Sequence, residues 1–203
     1  SFIQAVPDWD DAVFKAKLRN FVNALAQRYD GDSRVAWVDI RSFGNYGEWH
    51  LYRLEGSEMP STGCQVELAQ IYVDAFESTD LAICQNAVNY LGRQYLLDNG
   101  IYIRDDGAFG LSGTKTDFVD GIITISEMIQ PYGTYKSIYG WNNGTYFKYF
   151  SKMKQNYMDI GEWGTDTELF IRDNEEIIRY LTNKMGYNFF LSNVTMPQQA
   201  QIN

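Results

Sequence analysis

The chain is poor in the residues and runs on which several protein classes depend. It has 2 cysteines and 1 histidine in 203 residues. Two cysteines are too few for a disulfide framework, and they lack the paired spacing of a zinc site. No run of about 18 apolar residues occurs, which is the length that a membrane-spanning helix needs. The sequence therefore indicates neither a disulfide scaffold, nor a zinc module, nor a membrane-spanning protein.

Positive charge is also scarce, and it is not clustered. The formal net charge is −9, from 17 Lys and Arg against 26 Asp and Glu. No basic patch of the kind that follows a phosphate backbone is present. We therefore expect neither a nucleic acid nor an anionic membrane as partner, whereas a neutral ligand is compatible with this charge.

The motifs of nucleotide cofactors and of serine nucleophiles are missing as well. The sequence has no Gly-rich phosphate loop, no Walker pattern and no serine nucleophile elbow. Asp105 and Asp106 are adjacent, but no second histidine or third carboxylate stands at ligand spacing. We therefore expect no cofactor and no metal.

What the chain does have is a regular alternation of helical and strand patterns. Apolar residues at helical spacing predict helices at about 8–28, 68–76, 88–95, 118–129, 147–153 and 167–185. Short apolar runs predict five strands at 34–40, 81–85, 101–104, 157–161 and 187–191. Residues 133–144 are expected to form a loop rich in Tyr and Trp.

This alternation predicts an α/β fold with a parallel sheet and right-handed crossovers. A complete eight-stranded TIM barrel takes about 250 residues, so five units fall short of closure. A doubly wound sheet is complete with five strands, but the Gly-rich turn after its first strand is missing here. We expect an N-terminally incomplete TIM barrel over 1–194, whose first strands lie upstream of Ser1 or in another chain, and a linker at 195–203.

Two segments of the chain end alike, in Gly-Glu-Trp. Glu48 precedes Trp49 and Glu162 precedes Trp163, each after a β-forming apolar run. The carboxyl ends of parallel strands are where α/β folds bind ligands. Glycoside cleavage needs two carboxyl groups, and aromatic rings suit the faces of sugars. The sequence therefore predicts a carbohydrate substrate, with Glu48 and Glu162 as the catalytic pair.

Other residues are expected to contact the substrate at the same edge of the sheet. They are Arg41, Asn45, Trp49, His50, Asn86, Arg104, Asp105, Trp141 and Trp163. A lone histidine is usually structural, so both a structural role and a sugar contact stay open for His50. For Trp141 two roles stay open, which are a contact at a sugar subsite and a hydrophobic anchor on the surface. The glutamates also have possible structural roles. Glu48 could bind backbone amides in a tight turn, and Glu162 could cap a helix.

Three runs, taken in order, also resemble a known family. RYDGDSRVAWVDIRSFGNYGEWH, IYIRDDGAFG and IGEWG resemble the catalytic half of a clan A glycoside hydrolase barrel, close to cellulase-like and β-galactosidase-like bacterial proteins. In that clan the acid/base glutamate ends the fourth strand and the nucleophile ends the seventh. The resemblance implies these roles for Glu48 and Glu162, with two strands between them.

The resemblance further implies a retaining O-glycosidase that acts on a neutral poly- or oligosaccharide and is secreted or periplasmic. It also implies a further domain after the barrel. Gly47 departs from the Asn-Glu pair that is commonest at the fourth strand, so Asn45 is expected to make the sugar contact instead. A non-catalytic carbohydrate-binding barrel is the alternative.

Overall fold

The computed structural model describes residues 6–54, 56–108, 122–128, 131–153, 156–159 and 165–185. The strands are β1 (Val38–Ile40), β2 (Leu81–Cys84), β3 (Tyr102–Ala108), β4 (Thr124–Met128) and β5 (Tyr157–Asp159). The helices are α1 (Ala12–Tyr29), α2 (Thr62–Ala75), α3 (Val88–Leu91), α4 (Arg93–Asp98), α5 (Tyr132–Tyr139), α6 (Asn143–Met153), α7 (Thr165–Asp173) and α8 (Glu175–Thr182). Single 3₁₀ turns at Asn45–Gly47 and Gln85–Ala87 follow β1 and β2.

The two long helices of the first half begin at capping residues. The side chain of Asp11 accepts a hydrogen bond from the backbone N–H of Phe14 at 2.8 Å. Ser61 caps α2 in the same way, by accepting from the N–H of Cys64 at 3.1 Å. Each cap satisfies a backbone donor that the first helical turn leaves free. The helix predicted from residue 8 therefore begins at Ala12, after its acidic residues.

The sheet is parallel throughout, with its strands in the order β1-β2-β3-β4-β5. The predicted α/β class with a parallel sheet is confirmed. Within the described sheet the strand order does not reverse, as it would at the switch point of a doubly wound fold. Right-handed crossovers that all advance in one direction place their helices on one face of a sheet.

The two faces of the sheet differ in chemistry. Ile40, Ile83 and Ile103 lie on one face and belong to the main core, together with Leu68 and Ile71 of α2. The strand register places charged and polar side chains on the opposite face, because paired residues of parallel strands share a face. We call this the polar face, and it carries Asp39, Cys84, Arg104, Asp106, Glu127 and Asp159.

The sheet is strongly curved, and the polar face is its concave side. Trp37 precedes β1 and Tyr157 begins β5, so they belong to opposite edges of the sheet. In a flat sheet of five strands these edges lie about 19 Å apart, from four spacings of about 4.8 Å. The ring centroids of Trp37 and Tyr157 are nevertheless 5.0 Å apart. Both rings therefore reach across the concave face.

The structure corrects four of the predicted elements. The single helix predicted at 88–95 is part of two helices, α3 and α4, which Gly92 separates. The helix predicted at 118–129 is wrong in its described part, because Thr124–Met128 is a strand. The loop predicted at 133–144 contains most of α5 and the start of α6. The single helix predicted at 167–185 is two helices, which Asn174 separates. The strand predicted at 187–191 and the linker at 195–203 lie outside the described residues.

Candidate functional site

The loop that follows β1 carries Glu48 and is fixed by close backbone contacts. Gly47 has a φ of +71°, and a Cβ there would lie 2.4 Å from the Cβ of Arg41. Gly44 has a φ of +84°, and a Cβ there would lie 2.5 Å from the carbonyl oxygen of His50. At both positions only glycine combines a positive φ with the absence of a Cβ that would clash. The two glycines therefore hold Glu48 at the carboxyl end of β1.

Replacing Gly47 by alanine is expected to lower the free energy of unfolding by about 2 kcal/mol or more, through φ strain and the clash together. Gly56→Ala is the matched control, because Gly56 has a φ of +78° but nothing within 4 Å of the added Cβ. The control is expected to lose only about 1 kcal/mol. Urea unfolding measures both values, and equal losses would show that the contact with Arg41 does not constrain the loop.

Glu48 is held by neighbours on both sides of the loop. Its Oε2 lies 3.1 Å from Nε2 of His50. Nδ1 of His50 accepts the backbone N–H of Tyr52 at 3.2 Å, so Nε2 carries the proton and donates to Glu48. The side-chain amide of Asn86 donates to the backbone carbonyl of Glu48 at 2.9 Å. The Glu48 side chain is 22% exposed, which leaves it accessible to a ligand.

A buried charge cluster occupies the polar face behind this loop. Arg104 is only 6% exposed and forms ion pairs with Asp106 and with Asp39, whose Oδ2 is 2.7 Å from Arg104 Nε. These are charge contacts and not aligned hydrogen bonds. Arg41 Nε contacts the same oxygen of Asp39 at 2.6 Å. The Cys84 thiol donates to Asp106 at 3.5 Å. The carboxylates therefore fix the position of Arg104.

Glu127 of β4 is a candidate site residue that the sequence analysis missed. It is partly buried and is the register partner of Asp159. Burial raises the pKa of Glu127, and the positive charge of Arg104 opposes this shift. The negative charges of Asp159 and Glu48 raise the pKa further, while Arg41 lowers it. The charge of Glu48 therefore reaches the carboxyl group of Glu127.

Glu127→Gln is expected to raise the melting temperature at pH 7. The pKa of Glu127 lies above its ordinary value near 4.5 in the folded protein. Ionising Glu127 as the pH rises through this pKa therefore costs stability, and glutamine removes that cost. The gain is expected to disappear below about pH 4, where the wild-type carboxyl group is protonated in both states. Calorimetry from pH 4 to pH 8 measures it.

The control for this measurement is Glu58→Gln, because Glu58 is exposed. It is expected to change the melting temperature little at any of these pH values. A lower melting temperature of Glu127→Gln at pH 7, or a difference from the wild type that does not depend on pH, would contradict the electrostatic surroundings given for Glu127.

Two of the predicted substrate contacts are instead core residues. Trp49 is 0% exposed, and its indole N–H donates to the carbonyl oxygen of Ile40 at 2.8 Å. Its ring packs edge to face against Phe43. Trp141 is also buried and contacts the rings of its cluster. These rings are Tyr132, Tyr139 and Tyr146. Neither tryptophan offers a ring face to a sugar, and Trp141 is not a surface anchor either.

Asp105 is also a structural residue. It is buried, and its Oδ1 accepts hydrogen bonds from the side chain of Gln85 at 2.7 Å and from the N–H of Gly107 at 3.1 Å. The register places Asp105 on the face opposite to Arg104. Asp105 therefore lies on the side of the sheet opposite to the polar face, and Asp106 is the neighbour that pairs with Arg104.

Asn45 lies on the other side of the loop. It is buried and lines a cavity of about 410 Å³ together with Tyr46 and Arg41. Phe14 and Leu18 of α1 form part of the opposite wall. The residues that line this cavity do not include Glu48. The cavity is therefore separate from the carboxylate of the candidate site.

Glu162 and Trp163 lie outside the described residues, so their predicted roles stay predictions. Their place along the chain is nevertheless informative, because they follow β5. Three strands, β2, β3 and β4, therefore separate Glu48 from Glu162, and the expectation of two strands is wrong. If β1 is counted as the fourth strand of a barrel, the seventh is β4, which carries Glu127.

Comparisons with protein-family models, curated proteins and solved structures gave no match to this chain. In the part of the chain that the structure describes, no helix has both the length and the apolar character to cross a membrane. Across the same residues, no three or more His, Cys, Asp and Glu side chains group in a way that could hold a metal ion. The candidate site is therefore defined by its geometry alone.

Proposed function

We propose that this chain carries the catalytic carboxyl groups of a retaining O-glycosidase that acts on a neutral poly- or oligosaccharide. One observation carries the proposal. Glu48 lies in the loop that follows β1, Glu127 is the next-to-last residue of the parallel strand β4, and the charge of Glu48 raises the pKa of Glu127. Two carboxyl groups on either side of a glycosidic bond perform this cleavage. Glu127 takes the place that the sequence analysis gave to Glu162.

The proposed architecture is a TIM barrel in which β1 to β5 are strands four to eight. The unbroken strand order and the contact between Trp37 and Tyr157 support it, since a barrel closes a parallel sheet around its concave face. The first three strands then come from the same protein or from another chain. In this numbering Glu48 lies in the loop after strand four and Glu127 is the next-to-last residue of strand seven. The resemblance to clan A gives these strands the acid/base and the nucleophile.

The proposed reaction has two steps. Glu127 attacks the anomeric carbon while the protonated Glu48 gives its proton to the oxygen of the leaving sugar, which breaks the glycosidic bond. Glu48 then removes a proton from water, the water oxygen attacks the same carbon, and the bond to Glu127 breaks. Arg104 and Arg41 favour the ionised form of Glu127 that the attack needs.

Burial raises the pKa of Glu127, which favours the protonated form of Glu127 in the ligand-free protein. The proposed roles therefore rest on strand position, and the two carboxyl groups are linked by the effect of the Glu48 charge on the pKa of Glu127. Chemical rescue with a small nucleophile separates the two assignments, because each predicts a different product.

The charge at this edge of the sheet favours a neutral substrate. Among the described residues, its five carboxyl groups outnumber the arginines Arg41, Arg53 and Arg104. The carboxyl groups are those of Asp39, Glu48, Asp106, Glu127 and Asp159. An excess of negative charge repels uronic acids and sulfated sugars. Neutral sugars do not meet this repulsion.

The test is a panel of chromogenic aryl glycosides with gluco, galacto, manno and xylo configuration, assayed with the full-length protein. The wild type and Glu58→Gln are expected to hydrolyse at least one of them, and Glu48→Gln and Glu127→Gln to lose this turnover. Turnover that survives in both variants would reject the site. A wild type that binds polysaccharide without cleaving any glycoside would favour the non-catalytic sugar-binding barrel.

A further inference from the structure

Two tyrosines flank Glu48 and project into solvent. Tyr46 is 65% exposed and Tyr52 is 67% exposed. Both belong to the same short loop as Glu48, in which Trp49 is fully buried. Large aromatic side chains that are kept in water beside a polar site commonly mark a surface that binds a ligand.

The backbone holds these side chains in a conformation that costs energy. Tyr46 has a φ of +54° and Arg53 a φ of +65°, a region that residues other than glycine rarely adopt. Arg41 donates to the backbone carbonyl of Tyr46 at 3.1 Å, which fixes the first of them. Strained backbone of this kind is concentrated at binding and catalytic sites.

Arg53 connects the two tyrosines. Its guanidinium carbon lies 5.2 Å from the centroid of the Tyr52 ring, in a cation–π contact. Hydrogen bonding to Tyr52, and less strongly to Tyr46, raises the pKa of Arg53. The three side chains therefore form one exposed surface with two flat rings and a set of hydrogen-bond donors.

This surface is directly joined to the candidate acid/base residue. The rings of His50 and Tyr52 lie edge to face with centroids 6.2 Å apart. His50 in turn donates to Glu48. A single side chain therefore separates the Tyr52 ring from the carboxyl group of Glu48.

We infer that Tyr46, Tyr52 and Arg53 form the subsite for the leaving-group sugar, so that the substrate is an oligo- or polysaccharide and not a simple monosaccharide glycoside. This rests on the proposed function, in which Glu48 protonates the leaving oxygen, so its own loop borders the leaving group. A tyrosine ring covers the apolar face of a pyranose, and Arg53 donates to its hydroxyl groups.

The test compares two substrates of the sugar that the glycoside panel identifies. One is a tetrasaccharide, and the other is the glycosyl fluoride, whose leaving group is a single atom. Tyr52→Ala is expected to lower kcat/KM on the tetrasaccharide by about 10-fold or more, from the loss of about 1.5 kcal/mol of ring contact. Hydrolysis of the fluoride is expected to stay within about 2-fold of the wild type.

Tyr52→Phe is the matched control, because it keeps the ring and removes only the hydroxyl group. It is expected to stay within about 3-fold of the wild type on both substrates. Tyr46→Ala is expected to follow Tyr52→Ala. Equal losses on tetrasaccharide and fluoride, or no loss on either, would overturn the subsite while the proposed function stands.

If the wild type cleaves no glycoside, the proposed function fails and the surface is tested by binding. The probes are then β-glucan, xylan and galactomannan, each cast into a native gel. Retardation of the wild type that is lost in Tyr52→Ala and kept in Tyr52→Phe supports a sugar-binding surface. No retardation of the wild type by any of the three overturns the inference as well.

Discussion

Glu127→Gly is expected to lower kcat on a reactive aryl glycoside by about 10³-fold or more, because the attacking group is lost. Sodium azide is expected to restore turnover in this variant. Azide fits the space that the side chain leaves and attacks the anomeric carbon from the same face. The product is then a glycosyl azide of inverted configuration, which proton NMR identifies.

Glu48→Ala is the partner variant, with an expected loss of about 10²- to 10⁴-fold. Here Glu127 still forms the covalent intermediate, and azide replaces water in the second step. The glycosyl azide therefore keeps the configuration of the substrate. If the two variants gave each other's products, the roles of Glu48 and Glu127 would be exchanged. If azide rescued neither variant, both carboxyl groups would be excluded from the chemistry.

Arg104→Met is expected to lower the free energy of unfolding by about 3 to 5 kcal/mol at pH 7. The change keeps a long side chain but removes the cation that the partly buried carboxylates of Asp39 and Asp106 share, and Asp39 then has only its contact with Arg41. Removing one partner of a buried ion pair exposes the full cost of the remaining charge. Urea unfolding at pH 7 measures the loss.

The matched control is Arg34→Met, since Arg34 pairs with Asp32 at 2.6 Å on the surface. An exposed ion pair of this kind is worth about 1 kcal/mol or less. A second comparison combines Arg104→Met with Asp39→Asn. The second change removes one of the two carboxylates that Arg104 pairs with, and it is expected to recover part of the lost stability. A loss in Arg104→Met no larger than that in Arg34→Met would mean that water screens the cluster on the polar face.

Much of the fold follows from the sequence, because strands buried on both faces read as short apolar runs. β2 is such a run, and it was predicted to within one residue. β4 was missed because Ile122, Ile125 and Ile129 also stand at the spacing of a helical face. The sequence of this segment also favours a strand, because residues 122–125 are consecutive β-branched residues.

Alternation along the chain explains where several of the predicted site residues lie. Glu48 follows from the end of an apolar run, but Trp49 beside it turns into the core. Asp105 and Arg104 differ in the same way, because successive residues of a strand face opposite sides. Glu127 went unrecognised because the segment that carries it was assigned to a helix. Its proposed pairing with Glu48 depends on the curvature of the sheet, which no local pattern encodes.

The strand order also bears on how the chain folds during its synthesis. Every strand of the sheet pairs with the strand made just before it, so each new unit finds its docking edge already in place. Folding by short-range steps of this kind is fast, because little loop entropy is lost at each step. The contact between Trp37 and Tyr157 joins the two outer strands of the described sheet, β1 and β5. It therefore forms only after β5 has joined the sheet, and the sheet grows strand by strand along the chain.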